Sequence, residues 1–186
     1  MDFLTLAALC GPGVDPVTTA AIVKTESHFE PLAIRDNTLQ VSIRPTSRRA
    51  AESTLGELIR RGDRLAIGLM QITTPWVSRL HLRASDLLDS CTNVRVGTWI
   101  LSSNYEACRS PGRAPKATLE CALSAYWTGD GRIGGAYVNQ LYARAGSPYR
   151  VSETAGVTDG LLGSGRDLRL ATAALVRASG FDFRRR

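Results

Sequence analysis

Hydrophobic residues recur at helical spacing through most of this chain, with proline at several starts and glycine at several ends. Val94, Gly97, Leu101, Tyr105 and Cys108 step by 3, 4, 4 and 3 residues, which predicts a helix over 93–108. Asp15 before Pro16 reads as a cap and first helical residue, opening a helix that runs to about Ser27. Thr46 or Ser47 caps a third pattern, in which Ala51, Leu55, Leu58 and Ile59 share a face and Gly62 ends it. Pro115 opens a fourth, with Leu119, Ala122, Leu123 and Tyr126 on one side and Gly129 beyond its end. A fifth carries Val138, Leu141, Tyr142 and Ala145 and stops at Gly146. Residues 2–10 read as a short packed helix. Alternation appears only in Leu39–Ile43, and Ala66–Ile72 is a short apolar run broken by Gly68. The expected fold class is therefore mainly α, with a small β excursion near 38–46.

A length of 186 residues suits one compact domain, expected over 1–146. Beyond Gly146 the composition shifts to Ser, Gly and Thr, as in a linker. Leu168, Ala171, Leu175 and Ala178 predict one late helix before a basic end, Arg184–Arg186. No run of apolar residues is long enough to span a membrane. The charge balance is 23 basic against 17 acidic residues, or +6. Lysine occurs only at Lys24 and Lys116, so arginine carries nearly all the positive charge. A basic surface attracts nucleic acid, anionic lipid or acidic wall polymer alike. No nucleic-acid motif or aromatic–basic alternation accompanies it, so no nucleic-acid partner is expected. Two histidines, His28 and His81, and no Cys-x-x-Cys pair give no metal site.

Cys10, Cys91, Cys108 and Cys121 suit two disulfides, with three pairings open. Cys108–Cys121 is favoured because it closes the Gly/Pro-rich loop Arg109–Glu120, which leaves Cys10 with Cys91. The first ten residues lack the positive start and long apolar stretch of a signal peptide.

Three segments carry chemistry together: Ile22-Val23-Lys24-Thr25-Glu26-Ser27-His28-Phe29-Glu30-Pro31-Leu32-Ala33, Gly68-Leu69-Met70-Gln71-Ile72 and Ala122-Leu123-Ser124-Ala125-Tyr126-Trp127-Thr128-Gly129-Asp130. Each alone is a weak signal. In this order on a helical pattern they resemble the lytic transglycosylases of the soluble Slt type, which have a lysozyme-like fold. Cys10-Gly-Pro, Pro31-Leu-Ala-Ile-Arg-Asp-Asn37, Arg44-Pro-Thr-Ser47 and Asp89-Ser-Cys-Thr-Asn-Val94 narrow the likeness to the small transglycosylases of type IV secretion systems. The resemblance covers about residues 4–146. It implies a periplasmic or cell-envelope enzyme that acts on peptidoglycan glycan strands and needs no cofactor. It leaves two readings of the 147–186 tail, as a segment that contacts the secretion machinery or one that is clipped away.

Glu26 alone reads as an exposed glutamate on a solvated helix face, but beside the other two segments its place suits an acid. A helix carboxyl end carries partial negative charge and apolar neighbours desolvate a carboxylate, so both raise its pKa. A general acid working near neutral pH needs that shift. The resemblance makes Glu26 the catalytic acid and places Gly68, Met70, Gln71, Tyr126 and Trp127 around the substrate, with Ser27 in support. Gly68 would let backbone approach a sugar. Gln71 could hydrogen-bond its N-acetyl and hydroxyl groups. Trp127 stands where asparagine is common, and Thr73 where a second methionine often stands. Asp36, Glu30 and Asp130 are weak candidates for a second acid. The long Glu26–Gly68 interval, with its strand and the 47–61 helix, is read as a lid or rim. Two rival readings remain: a hydrolytic goose-type lysozyme on the same fold, and a non-catalytic peptidoglycan-binding assembly factor.

Overall fold

A computed structural model describes residues 1–145. The expected linker, late helix and basic tail, 147–186, lie outside the described residues. The described chain divides into two compact units, residues 1–25 with 98–145 and residues 26–97. Two helices cross the division in sequence: α2 (Pro16–Glu26) has only its last residue in the second unit, and α5 (Ser90–Cys108) changes unit at Thr98.

The first unit is helical. It opens with α1 (Phe3–Cys10), whose Asp2 cap accepts from Thr5 N–H at 3.0 Å. The α2 helix starts as its sequence dictates, with the Asp15 carboxylate accepting from Val17 N–H at 2.8 Å beside Pro16. At the end of α1, Gly11 is required because a Cβ there would press on the Thr98 side chain. The second half of α5 precedes α6 (Pro115–Thr128) and α7 (Gly135–Arg144). α6 and α7 pack against each other, and Leu119, Leu123, Val138 and Leu141 are buried. Gly129 ends α6 in the left-handed conformation, φ 78°. The Cys108–Cys121 disulfide closes the intervening loop. Cys10 and Cys91 are disulfide-bonded as well, so among the described residues no thiol is free.

The second unit is built around a four-stranded antiparallel sheet, ordered β2-β1-β3-β4. Its strands are β1 (Ile34–Asp36), β2 (Val41–Ile43), β3 (Leu65–Ile67) and β4 (Ile72–Thr73). Ile34 pairs with Ile43 on one side and Ile67 on the other. α3 (Arg48–Arg61) lies between β2 and β3 in sequence, capped by Ser47 and ended by Gly62 at φ 84°. Its apolar face, Ala51, Leu55 and Leu58, is buried. α4 (Thr74–Arg79) and a 3-10 turn (Ala84–Leu88) complete the unit before α5.

Helix boundaries in the sequence agree with the structure to within a few residues. The sheet is larger than the single excursion expected near 38–46. The run Ala66–Ile72 turns out to be β3, a tight turn and the start of β4. Strand pairing of 34–36 with 65–67 supplies that order, and no local pattern encodes it. Within the 38–62 segment read as a lid or rim, α3 packs on β1 and the 3-10 turn, while residues 38–50 stay largely exposed. Asp36 ties it further. Its buried carboxylate accepts from Thr38 N–H at 2.8 Å and Leu39 N–H at 3.0 Å, and meets Arg61 at 3.3 Å.

Candidate active site

Glu26 is the last residue of α2 and is half-buried. The helix cannot continue, because His28 and Phe29 both sit in the left-handed region, at φ 57° and 65°. Two successive non-glycine residues there are costly, and such backbone survives only where its surroundings enforce it. Ser27 is 3% exposed, and its carbonyl accepts from Glu30 N–H at 3.2 Å. Glu30 in turn accepts from Ala33 N–H at 3.2 Å, so two tight turns carry the chain from Glu26 into β1.

That same segment holds the Gly68–Gln71 turn. The Ala33 carbonyl accepts from Gly68 N–H at 2.8 Å and from Gln71 Nε2 at 3.3 Å. Gly68 has φ 75°, and a Cβ there would collide with the Asn93 amide and lie 2.5 Å from the Leu87 carbonyl oxygen. Its lack of a side chain is therefore demanded from within the protein. Asn93, fully buried, donates from Nδ2 to Ile67 O at 2.9 Å and Leu87 O at 2.8 Å. Its Oδ1 accepts from Met70 N–H at 2.8 Å. The Met70 side chain has no exposed surface, and it fills the space a Cβ at Gly97 would need. Gln71 adopts φ 49° and remains half-buried, with Nε2 also donating to Gly68 O at 2.9 Å. Its Oε1 is the atom of that amide not spent on the turn.

The third segment belongs to the first unit. Tyr126 is half-buried near the end of α6. Trp127 is 56% exposed, and its ring stacks on buried Tyr137, with centroids 5.3 Å apart and planes 6° from parallel. Ser124 organises the turn that follows. Its hydroxyl donates to Asp130 O at 2.6 Å and accepts from Gly134 N–H at 2.8 Å. The Thr128 hydroxyl accepts from Asp130 N–H at 2.9 Å.

The other acids are otherwise engaged or exposed. Asp36 is spent on the β1–β2 turn and Arg61. Asp130 pairs with Arg132 at 3.1 Å, and that guanidinium is the main reason its carboxyl is held below the usual range. Glu30 is exposed. Among the described residues, no three His, Cys, Asp or Glu side chains gather as a metal site.

The family model described as "Transglycosylase SLT domain" matches residues 3–147. The chain belongs to that family. A protein named virB1 from Agrobacterium fabrum is 35% identical over 129 residues, covering 69% of this chain and 52% of its own length. A type IV secretion system protein virB1 from Brucella abortus biovar 1 is 30% identical over 161 residues, covering 86% of this chain and 65% of its own length. The chain thus spans roughly half to two thirds of the length of these relatives. No solved structure matches. A mainly helical transglycosylase domain with a small antiparallel sheet agrees with the expected fold class. Among its described residues, no helix is long and apolar enough to cross a membrane.

Within this SLT domain, the Glu26 segment and the Gly68–Gln71 turn are joined through Ala33. The sequence reading missed the parts played by Asn93, Ala33 and Ser124. Asn93 had one available signal, an uncharged polar residue on the apolar side of a helix next to Val94. Ala33 acts through its carbonyl, which leaves no mark in the side-chain pattern.

Proposed function

We propose that this domain is a lytic transglycosylase that cleaves the β-1,4 bond between N-acetylmuramic acid and N-acetylglucosamine. Glu26, protonated, gives its proton to the leaving oxygen. The 2-acetamido oxygen of the substrate stabilises the anomeric carbon, so no carboxylate nucleophile is required. Ionised Glu26 then takes the proton from the muramyl C6 hydroxyl, whose oxygen attacks C1. A 1,6-anhydro end results and no water is consumed. Gln71, through Oε1, and Tyr126 hydrogen-bond the substrate, and Trp127 offers the face turned away from Tyr137 to a sugar ring. Ser27, Gly68 and Met70 support the site from beneath, in keeping with their burial.

The observation that carries this reading is the SLT family match across the described domain. The strained backbone after Glu26, bonded through Ala33 to the Gly68–Gln71 turn, supports it locally. The virB1 relatives support a place beside a type IV secretion system. A location in the cell envelope, and contact with that system through residues 147–186, are part of the same proposal. The test is a digest of purified sacculi read by mass. The parent should release anhydromuramyl ends, 18 Da below the reducing ends of a hydrolase, and Glu26→Gln should slow release at least a hundredfold. Reducing ends would favour a lysozyme. Equal rates for parent and variant would remove Glu26 from the mechanism.

A further inference from the structure

The loop closed by Cys108–Cys121 frames a cavity of about 470 Å³, in the size range of small-ligand pockets. Its charge is one-sided. Arg109 and Arg113 both line it, and among the described residues only Arg109 has a carboxylate partner, Glu106 at 2.6 Å. Arg113 spends Nη1 on the Cys108 carbonyl at 2.7 Å, which orients the guanidinium and leaves its other edge without a partner among the described residues. Tyr105 lies on the cavity wall and is 5% exposed. Its hydroxyl has no hydrogen-bond partner among the described residues. The wall also includes Pro115, the first residue of α6, and that helix end has no side-chain cap. A helix amino end adds partial positive charge. Pro111 and Gly112 supply small, apolar surface.

We propose that this cavity binds the terminal carboxylate of a short peptide with small side chains. The carboxylate would take the free edge of Arg113, and the Tyr105 hydroxyl would donate a further bond. Planar guanidinium–carboxylate pairing suits that geometry. The prolines and Gly112 offer small apolar surface that suits alanine-sized residues. The disulfide holds Arg113 and Tyr105 within one frame, which lowers the ordering cost of binding. The proposal rests on the reading of peptidoglycan as substrate only for the source of that peptide, the stem attached to the glycan.

The test is titration calorimetry on the full chain with N-acetyl-alanyl-alanine, its carboxamide, and inorganic phosphate. The free acid should bind at least tenfold more tightly than the amide. Arg113→Gln should weaken it at least fivefold, and Tyr105→Phe, which removes one oxygen, about threefold. Thermal melting checks that both variants remain folded. Equal binding of acid and amide would overturn the proposal, as would unchanged affinity in a folded Arg113→Gln. Phosphate binding as tightly as the peptide would overturn the peptide assignment. Glycan cleavage is scored separately on sacculi, so failure of the peptide titration leaves the role of Glu26 standing, and the reverse holds too.

Discussion

The carboxamide of Asn93 occupies the space that a side chain at position 68 would need. It also bonds the backbone on both sides of that position, at Ile67 and Met70. Gly68→Ala therefore meets a clash and an unfavourable φ together, and should cost about 3 kcal/mol. Asn93→Ala removes three bonds from buried groups and should cost at least as much, about 3–4 kcal/mol. Urea unfolding checks both. Losses under 1 kcal/mol would mean that the turn repacks without its amide.

Asp36 and Arg61 join the β1–β2 turn to the end of α3. Asp36→Ala leaves the Thr38 and Leu39 N–H groups without their acceptor and should cost about 2–3 kcal/mol. Asp36→Asn keeps one acceptor oxygen and should cost about half of that. Arg61→Ala strands a buried carboxylate, although Arg61 is itself partly exposed, and an effect of about 1–2 kcal/mol is expected. Chemical denaturation of the three variants orders them. A harmless Asp36→Ala would show that the turn bonds contribute nothing net.

Asp89 caps the start of α5, accepting from Thr92 N–H at 2.8 Å. That backbone bond is the main cause holding its carboxyl below the usual range. With its folded pKa depressed, the unfolded chain protonates first as the solution is acidified. The stabilisation is complete above the unfolded value of about 3.9 and is lost as pH falls through the folded value. Asp89→Asn keeps a capping oxygen and should lose less stability than the parent between about pH 5 and pH 2. Unfolding free energies across that range check this. Identical pH profiles would sink it.

Trp127 stacks one ring face on Tyr137 and is more than half exposed. Trp127→Ala should cost about 1–2 kcal/mol in stability, since much of the ring already meets solvent. If its other face holds a sugar, the same variant should weaken binding to sacculi about tenfold. Co-sedimentation with sacculi and thermal melting separate the two effects. Unchanged co-sedimentation would remove Trp127 from the sugar site.

Much of the helical frame was legible because its signals are local. Asp15 with Pro16, Ser47, Gly62 and Gly129 act within one turn of their own positions, and the 3-and-4 spacing of α5 repeats along a single face. The order of the Glu26, Gly68–Gln71 and Tyr126 segments was equally readable, because motif order belongs to the chain itself. Tertiary structure decided the rest. Whether Met70 faces a ligand or the core depends on Gly97, 27 positions later. Why residue 68 must be glycine depends on Asn93. The sheet depends on β1 meeting β3 across a whole helix. Burial and strand register are set by partners distant in sequence, so composition and periodicity at one place carry no record of them.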